Sequence, residues 1–160
     1  MKILIVSDSH GRNENLKKAV RNMKGTHDRM IHLGDFQCSP SVIEELAGCP
    51  VDMVRGNCDS FLSGIPQSKM IDIEGHKVLL THGHQYGGMV GALREMAKEN
   101  GVSIVMFGHT HVPLVDTEDG VTVVNPGSIS QPRQDGHKPS YLVMNIENGI
   151  VDFVPVFLSK

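Results

Sequence analysis

Aspartate, histidine and asparagine recur in this chain in short groups, most of them beside glycine: Asp8-Ser9-His10, Gly34-Asp35, Gly56-Asn57, His82-Gly83-His84 and Gly108-His109-Thr110-His111. Together they offer two carboxylates, one amide and several imidazoles. That mixture of nitrogen and oxygen donors, with no thiolate required, suits Mn²⁺, Fe, Zn²⁺, Co²⁺ or Ni²⁺ rather than Ca²⁺. Residues with one residue between them, as in Asp8/His10 and His109/His111, put two side chains on the same side of an extended segment. Two metal ions held roughly 3.5–4 Å apart need a bridging ligand, and a carboxylate is suited to it. Asp35, alone after its glycine, is the candidate bridge. Two divalent ions carry about +4, two aspartates remove about 2 and a bridging hydroxide about 1 more. The remaining positive charge favours an anionic substrate of the phosphate-ester kind, without separating monoester from diester.

Each group follows an apolar, β-branched run. Residues 3–6, 30–33, 51–54, 78–80 and 102–107 read as buried strands. Leu16, Ala19, Val20 and Met23 recur at helical spacing, which predicts an amphipathic helix over 13–24. Ser39 can cap a second short helix, with Pro40 at its first position and Gly48 just past its end. Met89, Leu93, Met96 and Ala97 mark a third, stopped by Asn100-Gly101, and the Met89, Leu93 and Met96 stripe reads as core. The first part is therefore a helix-covered sheet of parallel strands. After Gly108 the runs 114–116, 121–124, 141–146 and 151–157, with turns at Glu118-Asp119-Gly120 and Asn148-Gly149, predict a largely antiparallel sheet packed against the first. In open α/β sheets, ligand sites lie beyond the carboxyl ends of strands. Five strand ends here carry Asp, His or Asn.

The chain's 160 residues suit one domain over 1–160, with 39% hydrophobic and 21% charged residues, ordinary for a protein with a real core. A net charge of −3 gives no extended nucleic-acid surface. No apolar stretch is long enough for a signal-peptide core or a membrane span. The three cysteines, Cys38, Cys49 and Cys58, show no CxxC pairing, so a reduced, cytoplasmic protein is expected. Homodimerisation is compatible with exposed sheet edges in a small domain.

The ordered set Asp8-x-His10, Gly34-Asp35, Gly56-Asn57, the Gly-His pair at His82 and Gly108-His109-x-His111 resembles the calcineurin-like metallophosphoesterases. The Gly56-Asn57-Cys58-Asp59 and Asn125-Pro126-Gly127-Ser128 segments are similar to their compact bacterial and archaeal phosphodiesterase branch. The resemblance implies a four-layer α/β/β/α sandwich of two mixed sheets flanked by helices. It puts Asp8, His10, Asp35 and His111 on a first metal and Asp35, Asn57, His82 and His109 on a second, with Mn²⁺ foremost. It implies in-line attack on a small phosphodiester by a metal-bridging water or hydroxide. A phosphomonoesterase with the same metals, and a non-catalytic interaction scaffold on this fold, are the alternatives.

One departure from the pattern concerns proton transfer. Many relatives carry histidine where this chain has Cys58, and a thiol is a weaker proton donor to a leaving oxygen than imidazole. His84 is the nearest alternative donor in sequence. Asn57 and Arg133 are the candidates to contact substrate, Arg133 from the loop after Ser128. His32 reads as a satisfied core histidine, whereas His27, His76 and His137 sit in polar turns and are expected to face solvent.

Overall fold

The first apolar run forms β1 (Lys2–Val6), buried on both faces: Ile3 and Ile5 enter one hydrophobic cluster, Leu4 and Val6 another. A strand with two apolar faces needs a layer on each side, and that requirement sets the architecture. In the computed structural model, which describes residues 1–159, the chain continues as α1 (Glu14–Met23), β2 (Arg29–His32), α2 (Pro40–Ala47), β3 (Val51–Met53), β4 (Ser68–Ile73) and β5 (His76–Thr81). It then runs through α3 (Val90–Asn100), β6 (Ile104–Met106), β7 (Pro113–Glu118), β8 (Val121–Pro126), β9 (Ser140–Glu147) and β10 (Ile150–Phe157).

Two five-stranded sheets result, ordered β10-β9-β1-β2-β3 and β4-β5-β6-β8-β7. In the first, β1, β2 and β3 are parallel, while β9 runs antiparallel to both β1 and β10. In the second, β5, β6 and β8 are parallel, with β4 and β7 antiparallel at the edges. Ile3, Ile5, Ile31 and Leu33 meet Val78, Leu80, Ile104 and Val124 between the sheets. Leu16, Ala19 and Met23 of α1 and Ile43 and Ala47 of α2 pack on the outer face of the first sheet. Leu93 and Ala97 of α3 pack with Leu79, Val105 and Val123 on the outer face of the second. The layers are therefore α/β/β/α. Each fully buried large aliphatic contributes about 1.5–3 kcal/mol.

The strands do not divide between the sheets in chain order. β5 and β6 belong with the later strands, and β9 and β10 return to pair beside β1. Both sheets are mixed, so the expected split into a parallel and a largely antiparallel sheet is corrected. β4 was not anticipated: it is an edge strand whose only buried residue is Ile73, and it carries no buried apolar run to reveal it. α3 ends at left-handed Gly101, as its sequence suggests. Met89 sits at its N-cap and is 65% exposed, so it is not core. His27 is also corrected: it is buried, with its Nε2 bonded to the Ala47 carbonyl at 3.0 Å, whereas His137 is exposed and His76 half-buried.

Candidate metal centre

The carboxyl ends of β1, β2 and β3 and those of β5, β6 and β8 bring their loops to one edge of the sandwich. The loops after β1 and β2 run side by side: the Asp8 N–H donates to the Gly34 carbonyl (3.0 Å), His10 to Asp35 (2.8 Å) and Gly11 to Phe36 (2.9 Å). From the second sheet, the Ile129 N–H donates to the Ser7 carbonyl (3.1 Å) and the Ser128 hydroxyl to that of Asp8 (2.8 Å). Asp8 (φ 55°), His10 (48°), Asp35 (55°), His109 (68°) and His111 (61°) all have left-handed backbone. Asp8 and His10 are thus not on an extended segment; each turns inward separately, as do His109 and His111. Non-glycine residues take this conformation at a cost of about 1–2 kcal/mol each, so the surrounding bonds must hold them there. Gly108 is required for close approach: a Cβ there would collide with Ser7 Oγ and lie 2.8 Å from Asp8 Oδ2.

These loops gather side chains around two buried carboxylates. Asp8 Oδ1 lies 3.2 Å from His111 Nε2 and 3.8 Å from both His10 Nε2 and His82 Nε2. Asp35 Oδ2 lies 3.2 Å from His82 Nε2 and 3.9 Å from His10 Nε2. The far side of each of these rings is occupied. His82 Nδ1 bonds the Leu33 carbonyl (2.7 Å), His111 Nδ1 the Gln131 carbonyl (2.6 Å) and His10 Nδ1 the Gln37 amide oxygen (2.6 Å). A carbonyl oxygen only accepts, so each Nδ1 carries a proton, and in the neutral ring each Nε2 presents a lone pair inward. Asp8 Oδ1 and His82 Nε2 are buried without a hydrogen-bond partner. Bare acceptors converging on one point, each ring tethered through its other nitrogen, are the arrangement expected of metal ligands. The donor set therefore fits divalent metal.

The sequence carries the same signal. Residues 1–149 match the calcineurin-like phosphoesterase superfamily domain. The chain belongs to that superfamily. It is 34% identical over 150 residues to a probable metallophosphoesterase of Bacillus subtilis, spanning 92% of this chain and 86% of that protein. It is 33% identical over 144 residues to a phosphodiesterase of Methanocaldococcus jannaschii, spanning 79% of this chain and 83% of the relative. The crystal structure of a conserved Streptococcus pneumoniae protein, described as a predicted phosphoesterase, superposes with a TM-score of 0.80 at 29% identity. That match covers 99% of this chain and 97% of the other.

In this calcineurin-like phosphoesterase the remaining site residues fall around the cluster. Among the described residues, the groups with donor atoms within 4.8 Å of one another are Asp8–His10–His111, Asp8–Asp35–His82 and His10–Asp35–Cys58. His109 lies beside them, its ring 5.3 Å from that of His82 and its backbone N–H donating to Asp8 Oδ2 (3.1 Å). Asn57 is exposed, opening a 3-10 turn over Asn57–Asp59, with its Nδ2 3.6 Å from Cys58 Sγ. The half-buried His84 ring is 5.6 Å from His82 and 6.3 Å from His109. Arg133 is exposed, and its N–H donates to the His111 carbonyl (3.1 Å). Gln37, which orients His10, was not anticipated; a lone glutamine two residues past an aspartate gives no signal in the sequence.

Electrostatics favour a cation. Burial works to raise the Asp8 and Asp35 carboxyls, but His111 and Ser7 beside Asp8, and His82 beside both, outweigh it and hold them below the ordinary carboxylate range. His82 moves up, because Asp35 and Asp8 overcome its burial. His109 and His84 move down through burial and the neighbouring His82. Burial and then Asp35 push the Cys58 thiol up to about 11.

Proposed function

We propose that this phosphoesterase, a single domain over residues 1–160, hydrolyses a small phosphodiester at a centre of two divalent transition-metal ions, Mn²⁺ foremost. Asp8, His10, Asp35 and His111 would hold the first ion and Asp35, Asn57, His82 and His109 the second, with Asp35 shared. The observation carrying this reading is the set of inward lone pairs on His10, His82 and His111 against two carboxylates held below their ordinary pKa. A phosphodiesterase among the relatives supports the choice of diester.

When bound, the two ions would supply Lewis-acid charge to the phosphoryl oxygens and acidify the attacking water. The chain's own residues fix positions. Carbonyls of Leu33 and Gln131 lock the rings of His82 and His111, and the Cys58 N–H bonds Asp35 Oδ1 (2.8 Å), leaving its Oδ2 toward His82. His84 lines the same edge beside His82 and His109, where it could meet a leaving oxygen. Arg133, exposed and anchored by its backbone to His111, would offer a cation to the anionic substrate.

The test uses two chromogenic substrates, a phosphodiester and its matching monoester, with chelator-stripped protein before and after Mn²⁺ is added. Manganese-dependent turnover favouring the diester is expected. Equal or better monoester turnover would replace diesterase with monoesterase. Inactivity of folded protein with Mn²⁺, Ni²⁺, Co²⁺ and Zn²⁺ would overturn the enzymatic reading.

A further inference from the structure

Behind the cluster, one carboxylate gathers the backbone that presents it. Asp59, at the end of the turn after β3, is fully buried. Its Oδ2 accepts the N–H groups of Asp35 (2.6 Å), Gly56 (2.9 Å) and Phe36 (3.3 Å), and its Oδ1 that of Gln37 (2.9 Å). Three consecutive amides, from residues 35 to 37, therefore point at a single side chain. They can do so because Asp35 (φ 55°) and Gln37 (φ 49°) are both left-handed, which turns successive N–H groups toward one centre, as in an anion-binding nest.

Both ends of that arc reach the site. Asp35, held from behind through its N–H, faces His82 at 3.2 Å. Gln37, held in the same way, offers its side-chain oxygen to His10 Nδ1 at 2.6 Å. Gly56 completes the arc from the third strand's loop: its N–H also goes to Asp59, and a Cβ on it would collide with Asp35 Oδ1. Asp59 itself lies in none of the three donor groups that could hold an ion.

We infer that Asp59 is a positioning residue: its carboxylate sets the left-handed backbone at Asp35 and Gln37, and through them aims one carboxylate and one imidazole at the metal centre. The inference rests on the reading of this cluster as a metal site. Asparagine in its place keeps the shape but turns one acceptor into a donor, so at least one of the four amides loses its partner. The arc would relax, and Asp35 and His10 would lose their aim together.

The measurement is Mn²⁺ affinity by calorimetry on the full chain, for wild type, Asp59→Asn and Leu93→Ala. Leu93, on the inner face of α3, is fully buried against the second sheet, and its truncation serves as a destabilised control. Expected is a loss of about 10- to 100-fold for Asp59→Asn, the usual effect of removing a partner behind the ligands. Its metal-free circular dichroism should stay native, and Leu93→Ala should bind as wild type does. Wild-type affinity in Asp59→Asn, or an equal loss in Leu93→Ala, overturns the positioning role alone. A wild type that takes up none of Mn²⁺, Ni²⁺, Co²⁺ or Zn²⁺ overturns the reading of the site, and this inference with it. If Asp59→Asn does not fold, Gln37→Met at an exposed position cuts the arm to His10 alone. About tenfold weaker binding is then expected, and unchanged affinity overturns the inference.

Discussion

His10 and His111 reach in from the loops of different sheets and place their Nε2 atoms 3.3 Å apart, each ring with its Nδ1 proton committed to a carbonyl oxygen. In the neutral rings two lone pairs at that separation repel, and a proton or a metal ion between them relieves it. Asp8 Oδ1, 3.2 Å from His111, adds a third acceptor to the same point.

Metal should therefore act as a clamp between the sheets. At a free concentration about 100 times its Kd, a bound ion stabilises the folded state by about 2.7 kcal/mol. In a chain of this size that is a rise in melting temperature of about 5–10 °C. His111→Ala should abolish most of the rise while leaving a folded protein. A shift of the same size in this variant, read by differential scanning fluorimetry with and without Mn²⁺, would exclude His111 as a ligand.

Gly108→Ala should damage the same centre from the backbone side. The added methyl would meet Ser7 and the Asp8 carboxylate, and Gly108 cannot move away freely because its N–H donates to the His82 carbonyl (3.0 Å). Overpacking of this kind costs about 1–3 kcal/mol, and displaced Asp8 should weaken Mn²⁺ as well. Urea denaturation and calorimetry on one preparation check both effects, and wild-type values in both would refute the collision.

How much of this was legible beforehand depended on which interactions are local. The apolar runs that precede Asp8, Asp35, Asn57, His82 and His109 carry both strand and site in one stretch of sequence, so all five loops could be placed from sequence alone. β4 could not, because an edge strand with only Ile73 buried has no apolar run. Nor could the sheet partition, since nothing local to β5 or β9 says which sheet it joins. The left-handed backbone at His10 and His111 is set by bonds to Asp35, Gln131 and Arg133, which are remote in sequence or invisible to side-chain pattern. Asp59 and Gln37 were hidden for the same reason: what matters about them is backbone amides and one amide oxygen.

Buried His32 should give the metal-free protein an acid-sensitive core. Its Nδ1 accepts the Gly34 N–H (3.2 Å) and its Nε2 bonds the Ser9 hydroxyl (2.9 Å), so the neutral ring is satisfied and a second proton has no place. Burial pushes its pKa down to about 4. Between that value and its unfolded pKa of about 6.5, the unfolded chain binds a proton that the folded chain does not, so stability falls as pH falls. The loss from this group is about 2 kcal/mol at pH 5 relative to pH 8. Urea midpoints of wild type and His32→Asn at both values isolate it: the variant is destabilised overall but should lose less on acidification. Equal losses would mean that His32 titrates normally.

Cys58 sets the last expectation, on the leaving group. Its amide holds Asp35 while its thiol, pushed up to about 11 by burial and by Asp35, is poorly matched to deliver a proton near neutral pH. Turnover should therefore fall steeply as the leaving oxygen becomes more basic, nitrophenolate leaving readily and alkoxide hardly at all. Cys58→His keeps the backbone N–H to Asp35 and substitutes a group whose ordinary pKa lies near 6.5. General acid catalysis contributes about 10²-fold or more where the leaving group needs a proton. The variant should thus gain about that factor on alkyl diesters and little on nitrophenyl diesters, flattening the dependence on leaving-group basicity. A uniform change across the series would mean that the side chain at position 58 affects binding or metal and takes no part in protonation. In that case His84, 5.6 Å from His82 between ring centres, becomes the donor to test by the same series.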